Sequence, residues 1–154
     1  MALILHLQPV DFLKISLPVG AWILLRLITS FCGVFGFSIM FNSPVRLAAT
    51  AAGIGAIANT LRLEMVDMTA IPPAGAAFVG ALTAGILASL IKSKVGYPRI
   101  SLTVPSIVIM VPGMYLYRGF YNLGIMSLGP AASWFASAIL IIAALPLGLI
   151  FARI

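Results

Sequence analysis

The amino-acid sequence predicts an all-α integral membrane protein with four to five transmembrane helices. The 154-residue chain is 62% hydrophobic and 8% charged, and its mean hydropathy is +1.19. A soluble domain of this size could not cover so much apolar surface, so lipid is the solvent for most of the chain. The apolar runs are continuous rather than alternating, which predicts helices and excludes a transmembrane barrel. We expect one transmembrane domain over residues 1–154.

The charged residues are too scattered to form a nucleic-acid interface. The chain carries nine basic and three acidic residues, a net charge of +6, and the basic residues are distributed among apolar runs. Such residues determine membrane topology and contact lipid headgroups rather than forming a phosphate-binding face. The single cysteine, Cys32, can form no disulfide within the chain and gives no information on the redox compartment.

The first twenty residues predict a short segment at the membrane interface rather than a cleavable signal peptide. They hold His6, Asp11 and Lys14 among apolar residues, followed by Pro18. A signal peptide would start with basic residues and would carry a small-x-small cleavage site after its apolar run. We therefore expect residues 1–20 to lead into the first membrane span.

Four continuous apolar runs predict membrane spans. They cover residues 21–41, 45–63, 74–91 and 131–152. The first span carries Trp22 as an interfacial anchor and Arg26, whose long side chain can extend to the headgroups. Pairing of Arg26 with a substrate carboxylate is the alternative. In the last span, Pro146 and Gly148 predict a kink.

Small residues recur at helical spacing in the second and third spans. In the third span two adjacent rows are spaced by four residues: Ala76, Gly80, Ala84 and Ala88, and Ala77, Ala81, Gly85 and Ser89. Such faces let helix backbones approach closely, because membrane helices associate by packing rather than by a hydrophobic drive. We expect tight packing against another helix or another subunit, and a chain that does not function as an isolated monomer.

Polar residues flank the second span. Asn42 and Ser43 precede Pro44 and predict a tight connection that caps the second helix, with Arg46 near the membrane surface. Asn59, near the other end, either makes a hydrogen bond to a neighbouring helix, which we favour, or contacts a substrate.

Both acidic residues beyond the N-terminal segment, Glu64 and Asp67, fall in a predicted loop from Arg62 to Pro73. Carboxylates at the end of a span are by default solvated surface groups. Because proton-coupled carriers need ionisable groups that can be reached from both sides, a coupling role is the alternative.

The segment of residues 100–117 is long enough to cross a bilayer but contains helix breakers. Pro105, Pro112 and Gly113 interrupt it, since each proline removes a backbone donor and glycine adds freedom to leave helical geometry. A broken membrane helix is tolerated where protein or a water-filled cavity satisfies the freed carbonyls, and transporters build solute sites at such breaks. A kinked helix with a packing role is the alternative. The glycine-rich residues 118–130 are predicted to lie at the interface.

The basic residues give a small orientation bias. With five spans, one side of the membrane carries Arg46, Lys92, Lys94, Arg99 and Arg153. The other side carries three or four basic residues, so the positive-inside rule places the C-terminus in the cytoplasm. If the broken segment re-enters instead of crossing, the chain has four spans.

The sequence contains no pattern typical of an enzyme active site. There is no Cys/His spacing for a metal, no glycine-rich phosphate loop after a strand, and no nucleophile with a base partner. We therefore predict neither catalysis nor a bound cofactor or metal.

Three stretches in combination resemble the ThrE-type threonine/serine exporter family. They are FGFSIMFNSPVR at residues 35–46, AAFVGALTAGILAS at 76–89 and YPRISLTVPSIVIMVPG at 97–113. The small-residue helix with Gly53 and Gly55 that ends at Arg62 also matches. The chain is similar to the small membrane-only (YjjB-type) subunit, which corresponds to the C-terminal half of the single-chain exporters.

The resemblance implies a secondary exporter of small carboxylates in the bacterial inner membrane: threonine, serine or, in the two-subunit form, a dicarboxylate such as succinate. It also implies a larger partner subunit that matches the N-terminal half of the single-chain exporters. The matching positions are Asn42, Pro44, Arg46, Arg62, Pro105, Pro112 and Gly113. We expect the break to line the solute path and Arg62 or Arg46 to neutralise a solute carboxylate.

Two other functions stay open at this point. The small-residue faces equally fit an assembly or scaffold subunit whose partner holds the whole pathway. The scarcity of acidic residues within the membrane favours a small-solute channel, or an exporter whose coupling groups belong to the partner.

Overall fold

The computed structural model describes residues 18–69 and 71–153, which form six α-helices. The helices are α1 (Val19–Met40), α2 (Val45–Met68), α3 (Pro73–Val95), α4 (Arg99–Val108), α5 (Gly113–Gly124) and α6 (Leu128–Phe151). No strand occurs among the described residues, so the predicted all-α fold is confirmed. Most of the predicted interfacial segment, residues 1–20, lies outside the described part of the chain.

The four continuous spans are confirmed as helices, but α2 is longer than predicted. The prediction of a loop over residues 62–73 is wrong, because α2 continues to Met68. Leucine, glutamate and methionine in residues 63–68 are good helix formers, and no proline or glycine interrupts them. Glu64 and Asp67 therefore lie on a helix rather than in a loop.

The broken segment consists of α4 and α5, which are joined by residues 109–112 and bent by 40°. A break at Pro112 is confirmed, whereas Pro105 lies inside α4. Residues 118–124 of the stretch predicted to lie at the interface continue α5, and residues 128–130 begin α6, so most of this stretch is helical. Glycine suits this part of α5, since Gly119 packs directly against the Phe135 ring of α6.

Among the described residues, α1, α3 and α6 are long and apolar enough to cross a membrane, and the bent α4–α5 pair would provide a fourth crossing. α2 is as long but more polar. It nevertheless runs antiparallel to α1, because Asn59 contacts Ser30 while Glu64 contacts Arg26. It therefore returns across the thickness that α1 spans. The chain is a multi-pass bundle in which α1, α3 and α6 run one way and the other helices run back.

Three helices meet closely around Gly55. A Cβ atom added to Gly55 of α2 would lie 2.7 Å from a Val34 methyl carbon of α1 and 2.9 Å from the Ser106 carbonyl oxygen of α4. The Ser106 hydroxyl lies 2.9 Å from the Ala51 carbonyl oxygen, also on α2. No side chain larger than hydrogen fits at Gly55 without moving a helix, so the sequence sets the spacing of α1, α2 and α4 here.

The small-residue rows of α3 are buried within this chain. All row members except Ser89 are buried, and Gly148 of α6 packs against the Phe78 carbonyl and the Ala81 side chain. The prediction of tight helix packing is confirmed. Because α2 and α6 of the same chain cover these rows, the rows do not by themselves require a second subunit. α6 is a continuous helix through Pro146, and Gly148 serves this contact.

Charged residues differ between the two ends of the bundle. The end where α1 and α3 finish, called the basic end below, carries five basic residues and no acidic one within the described ranges: Arg46, Lys92, Lys94, Arg99 and Arg153. Glu64 and Asp67 lie at the opposite end. The positive-inside rule predicts that the basic end faces the cytoplasm.

Replacing Gly55 with alanine should lower the stability of the bundle by about 1–3 kcal/mol, because the added methyl group meets a backbone oxygen that cannot rotate away. Gly53→Ala is the matched control, since nothing lies within 4 Å of its added Cβ and alanine favours the helix. Thermal unfolding of both purified variants in detergent measures the difference. Equal melting temperatures would contradict the close contact between α2 and α4.

Candidate functional site

The break between α4 and α5 is a tight turn centred on Pro112. Pro112 has φ −78° and ψ 53°, and the Gly113 N–H donates to the Val111 carbonyl at 2.8 Å. This geometry is an inverse γ-turn. Proline favours it, because its ring fixes φ near about −65°. The turn ends the hydrogen-bond pattern of α4 and starts α5 in a new direction.

The turn leaves two backbone carbonyls without a backbone partner in the described part of the chain. There, the oxygens of Ile109 and Met110 accept no backbone hydrogen bond, since the Gly113 N–H is directed to Val111 instead. The Met110 side chain is fully buried, so this part of the break faces the bundle interior. Gly113 itself does not leave helical geometry as expected: it is the first residue of α5 and its φ is not positive.

A buried hydrogen bond joins α1 and α2 at the middle of the bundle, and a second bond within α2 adds Arg62 to it. Asn59 Nδ2 donates to Ser30 Oγ at 2.9 Å, and Arg62 Nε donates to Asn59 Oδ1 at 3.0 Å. Asn59 is 4% exposed and Ser30 is 3% exposed. The favoured interpretation of Asn59, a hydrogen bond between helices, is confirmed. Ser30 lies midway along α1, just as the break lies midway along the α4–α5 pair.

Arg62 connects this hydrogen-bonded cluster with the break. A Cβ atom added to Gly80 of α3 would lie 3.2 Å from both Arg62 Cβ and Met110 Sδ, so the three side-chain positions meet at one point. Tyr115, in the first turn of α5, lies within electrostatic reach of the guanidinium. No carboxylate in the described ranges lies within 4.0 Å of Arg62. Arg62 thus brings a partly buried positive charge to the break without a carboxylate partner in that part of the chain.

Arg26 pairs with carboxylates of the protein instead of extending only to lipid headgroups. Its Nη1 donates to Glu64 Oε1 at 2.7 Å, its Nη2 pairs with Asp67, and its guanidinium lies 5.6 Å from the Trp22 ring centre. The side chains of Trp22, Arg26, Glu64 and Asp67 line a cavity of about 350 Å³. We call Arg26, Glu64 and Asp67 together the acidic cluster. Two carboxylates share one guanidinium, so the cluster carries a net negative charge. No group of three potential metal ligands occurs in the described ranges.

The face of α2 that carries Glu64 has a further polar residue, Thr60, closer to the middle of the helix. Thr60 lies one turn before Glu64, and its hydroxyl is buried with no hydrogen-bond partner in the described part of the chain. Buried hydroxyls normally have a partner, because an unsatisfied one costs about 1–3 kcal/mol. Thr60 is therefore an exception that extends the polar face of α2 into the bundle.

Asn42 and Arg46 do not join the central site. Arg46 precedes Arg62 by 16 residues on α2, which is about 24 Å along a helix. The side chains of Asn42 and Arg46 are exposed at the basic end. Asn42 adopts φ 57°, a left-handed conformation that asparagine tolerates. The predicted side-chain cap is wrong, because Pro44 occupies the cap position of α2 and no side chain bonds its first turn.

The sequence analysis missed Ser30 and Tyr115. Ser30 stands beside Thr29 in an apolar run, and nothing local separates it from Thr29, whose hydroxyl bonds the Leu25 carbonyl of its own helix. The sequence did offer a signal for Tyr115, because this polar aromatic residue lies two positions after Gly113, at the predicted break.

A family model described as threonine/serine exporter, ThrE, matches residues 26–154. The match extends beyond the stretches that carry the sequence resemblance, since it includes α6 and most of α1. No curated protein and no solved structure matches the chain. Because the family match covers well over half of the chain, the protein belongs to the threonine/serine exporter family.

Proposed function

We propose that this chain is one subunit of a secondary exporter of small carboxylates in the bacterial inner membrane, and that Arg62 binds the carboxylate group of the solute. Membership in an exporter family implies transport rather than catalysis. The position of Arg62 supports its role, since it lies beside the α4–α5 break without a carboxylate partner in the described part of the chain.

The chemistry of a buried guanidinium supports this assignment. A charge inside a membrane bundle is unfavourable unless an opposite charge neutralises it. Asn59 accepts a hydrogen bond from Arg62 Nε. This bond orients the Arg62 side chain, but the neutral Asn59 amide does not neutralise its charge. The guanidinium has further donors in a planar fork that matches a carboxylate. A solute carboxylate would satisfy both the charge and these donors.

The break between α4 and α5 offers hydrogen-bond acceptors, whereas Arg62 offers donors. The Ile109 and Met110 oxygens accept no backbone hydrogen bond from residues 18–69 or 71–153. Carbonyls at unwound membrane helices coordinate cations in transporters. An α-amino acid carries both a carboxylate and an ammonium group, so it would contact Arg62 and these oxygens together. Succinate would need a second cation, and Arg26 is already paired with two acids. We therefore favour threonine or serine over a dicarboxylate.

In this proposal the solute path follows the broken segment. Pro112 and Gly113 form the turn itself, and Pro105 lies in the helix that leads to it. Asn42 and Arg46 take no part in binding, because they are too far from Arg62 for one small solute to contact both.

Glu64 and Asp67 are our candidates for proton coupling. These two ionisable groups share one guanidinium, so the single charge of Arg26 neutralises only one of them. Proton binding would weaken the electrostatic link between α1 and α2 at this end of the bundle. Thr60, one turn further in, extends this polar face towards the central site.

A larger membrane subunit would complete the exporter. The sequence resembles the C-terminal half of single-chain exporters, and we expect it to work with the other half. α1 presents exposed apolar side chains such as Leu24 (60% exposed) and Ile28 (53% exposed), which lipid or a partner helix would cover. A scaffold subunit and a channel are the competing functions.

Export from loaded cells tests the proposal. Cells loaded with threonine, serine and succinate would express this chain alone, the larger subunit alone, or both. We expect export of threonine and serine only with both chains, and export that depends on the proton gradient. Flux that needs no gradient would favour the channel. Export by the larger subunit alone would favour the scaffold.

Arg62→Gln should weaken export of carboxylate solutes, because glutamine keeps a hydrogen-bond donor but removes the charge. Loss of a charged hydrogen bond predicts roughly a ten- to hundred-fold drop in apparent affinity. The measurement is how strongly serine, and serine amide, which lacks the carboxylate, each compete with the export of serine by the wild-type and variant proteins. Arg118→Gln is the control, since Arg118 is exposed and lies over the Trp134 ring. An equal loss for both competitors would indicate a structural role of Arg62.

Pro112→Ala should reduce export by roughly ten- to hundred-fold without reducing the amount of protein in the membrane, because alanine supplies the N–H that lets α4 continue into α5. Pro130→Ala is the matched control, since Pro130 lies exposed in the first turn of α6, where its missing N–H has no helical partner. Export rates and membrane levels of both variants would be compared. Normal export by the Pro112 variant would refute a solute path at the break.

A further inference from the structure

A second cavity lies at the basic end, apart from the central site and the acidic cluster. It is a groove of about 540 Å³ between the first turns of α4 and the last turns of α6. Arg99 and Arg153 line one part of it, and the rest is mostly apolar, with Val104, Pro146 and Ile150. The proposed export path does not use this groove.

The two arginines give the groove an uncompensated positive charge. Arg99 Nη2 donates to the Leu149 carbonyl at 3.0 Å, which holds the guanidinium at the C-terminal end of α6. Its Nε is buried and has no hydrogen-bond partner within the described ranges. Arg153 follows directly after α6 and is exposed. No acidic residue of the described part of the chain lies at this end, so no carboxylate side chain of that part neutralises the pair.

The apolar part of the groove is open towards the surroundings of the bundle. Val104 is 48% exposed and Ile150 is 60% exposed, although both belong to helices within the membrane bundle. Val104 lies near the middle of α4 and Pro146 lies more than one turn before the end of α6, whereas Ile150 lies in the last turn of α6. The groove therefore combines a charged end with an apolar floor along α4 and α6.

We propose that this groove binds one anionic phospholipid, with its phosphate between Arg99 and Arg153 and an acyl chain along Val104, Pro146 and Ile150. Arginine clusters at the end of a membrane bundle match the anionic headgroups of the adjacent leaflet. The guanidinium groups of Arg99 and Arg153, which line the groove, supply donors for phosphate oxygens. A soluble anion would leave the apolar floor without a ligand, whereas a phospholipid contacts both parts.

Lipid binding by the purified full-length chain tests this proposal. Melting temperatures in detergent would be recorded against increasing phosphatidylglycerol, phosphatidylcholine with the same acyl chains, or inorganic phosphate. We expect saturable stabilisation by phosphatidylglycerol and little by the other two. Stabilisation by inorganic phosphate at the same level would identify a soluble-anion site and overturn the lipid assignment. Equal stabilisation by phosphatidylcholine would overturn the role of the arginines.

Variants separate this groove from the general charge of the basic end. Arg153→Gln should weaken phosphatidylglycerol binding roughly five-fold, which corresponds to about 1 kcal/mol per basic residue. This change leaves the Arg99 bond to α6 intact, so folding should be unaffected. Lys92→Gln/Lys94→Gln is the control, because it removes two charges from the same end outside the groove. An equal or larger loss in this control would overturn the proposal.

A further variant tests the apolar floor. Val104→Trp would fill part of the groove without changing its charge. We expect it to weaken phosphatidylglycerol binding at least as much as Arg153→Gln does, with an unchanged melting temperature in lipid-free detergent. Unchanged lipid binding by this variant would show that no acyl chain lies in the groove, and would refute the proposed binding mode.

Discussion

The close approach of α1, α2 and α4 around Gly55 is the constraint on which the central site depends. Gly55 leaves no space for a side chain between Val34 and the Ser106 backbone, so α4 lies directly against α2. The two helices run in parallel from this contact, and the turn at Pro112 then falls beside Arg62. A larger residue at Gly55 would move α4 outward and would move Met110 and the turn away from Arg62. The small residues of α2 thus determine where the break lies as well as how tightly the bundle packs.

Arg26 and Arg62 show how position decides the role of one residue type. Both lie within membrane helices, where a lone charge is unfavourable. Arg26 meets two carboxylates at the end of α2, so its charge is neutralised within the chain. Arg62 lies closer to the middle, where its hydrogen-bond partner is the neutral Asn59. Arg62 is therefore the arginine that still needs an anion. This difference in partners supports a solute site at Arg62 rather than at Arg26.

The sequence predicted the features that depend on local pattern. Composition predicted the membrane fold, spacing predicted the buried rows of α3, and the ring of Pro112 predicted the break. The sequence did not predict that α2 extends to carry Glu64 and Asp67, because charged residues after an apolar run are compatible with both loop and helix. Nor did it separate Ser30 from Thr29, since the register between α1 and α2 depends on contacts that are distant in sequence. Features that depend on local sequence could be predicted, whereas side-chain contacts between helices could be identified only from the structure.

The contacts between α1 and α2 differ in kind at their two ends, and this matters for a carrier that must open to each side in turn. Towards the basic end, the helices are joined by Val34, Ala51 and Ala52, which are fully buried and apolar. At the other end they are joined by Arg26 and its two carboxylates, of which Asp67 is more than half exposed. Close apolar packing does not respond to charge, whereas an ion pair weakens when a proton or a solute changes its charge balance. In the proposed exporter, the acidic cluster is therefore the part of this hairpin that would respond to a change of charge, while the packed end keeps the two helices together.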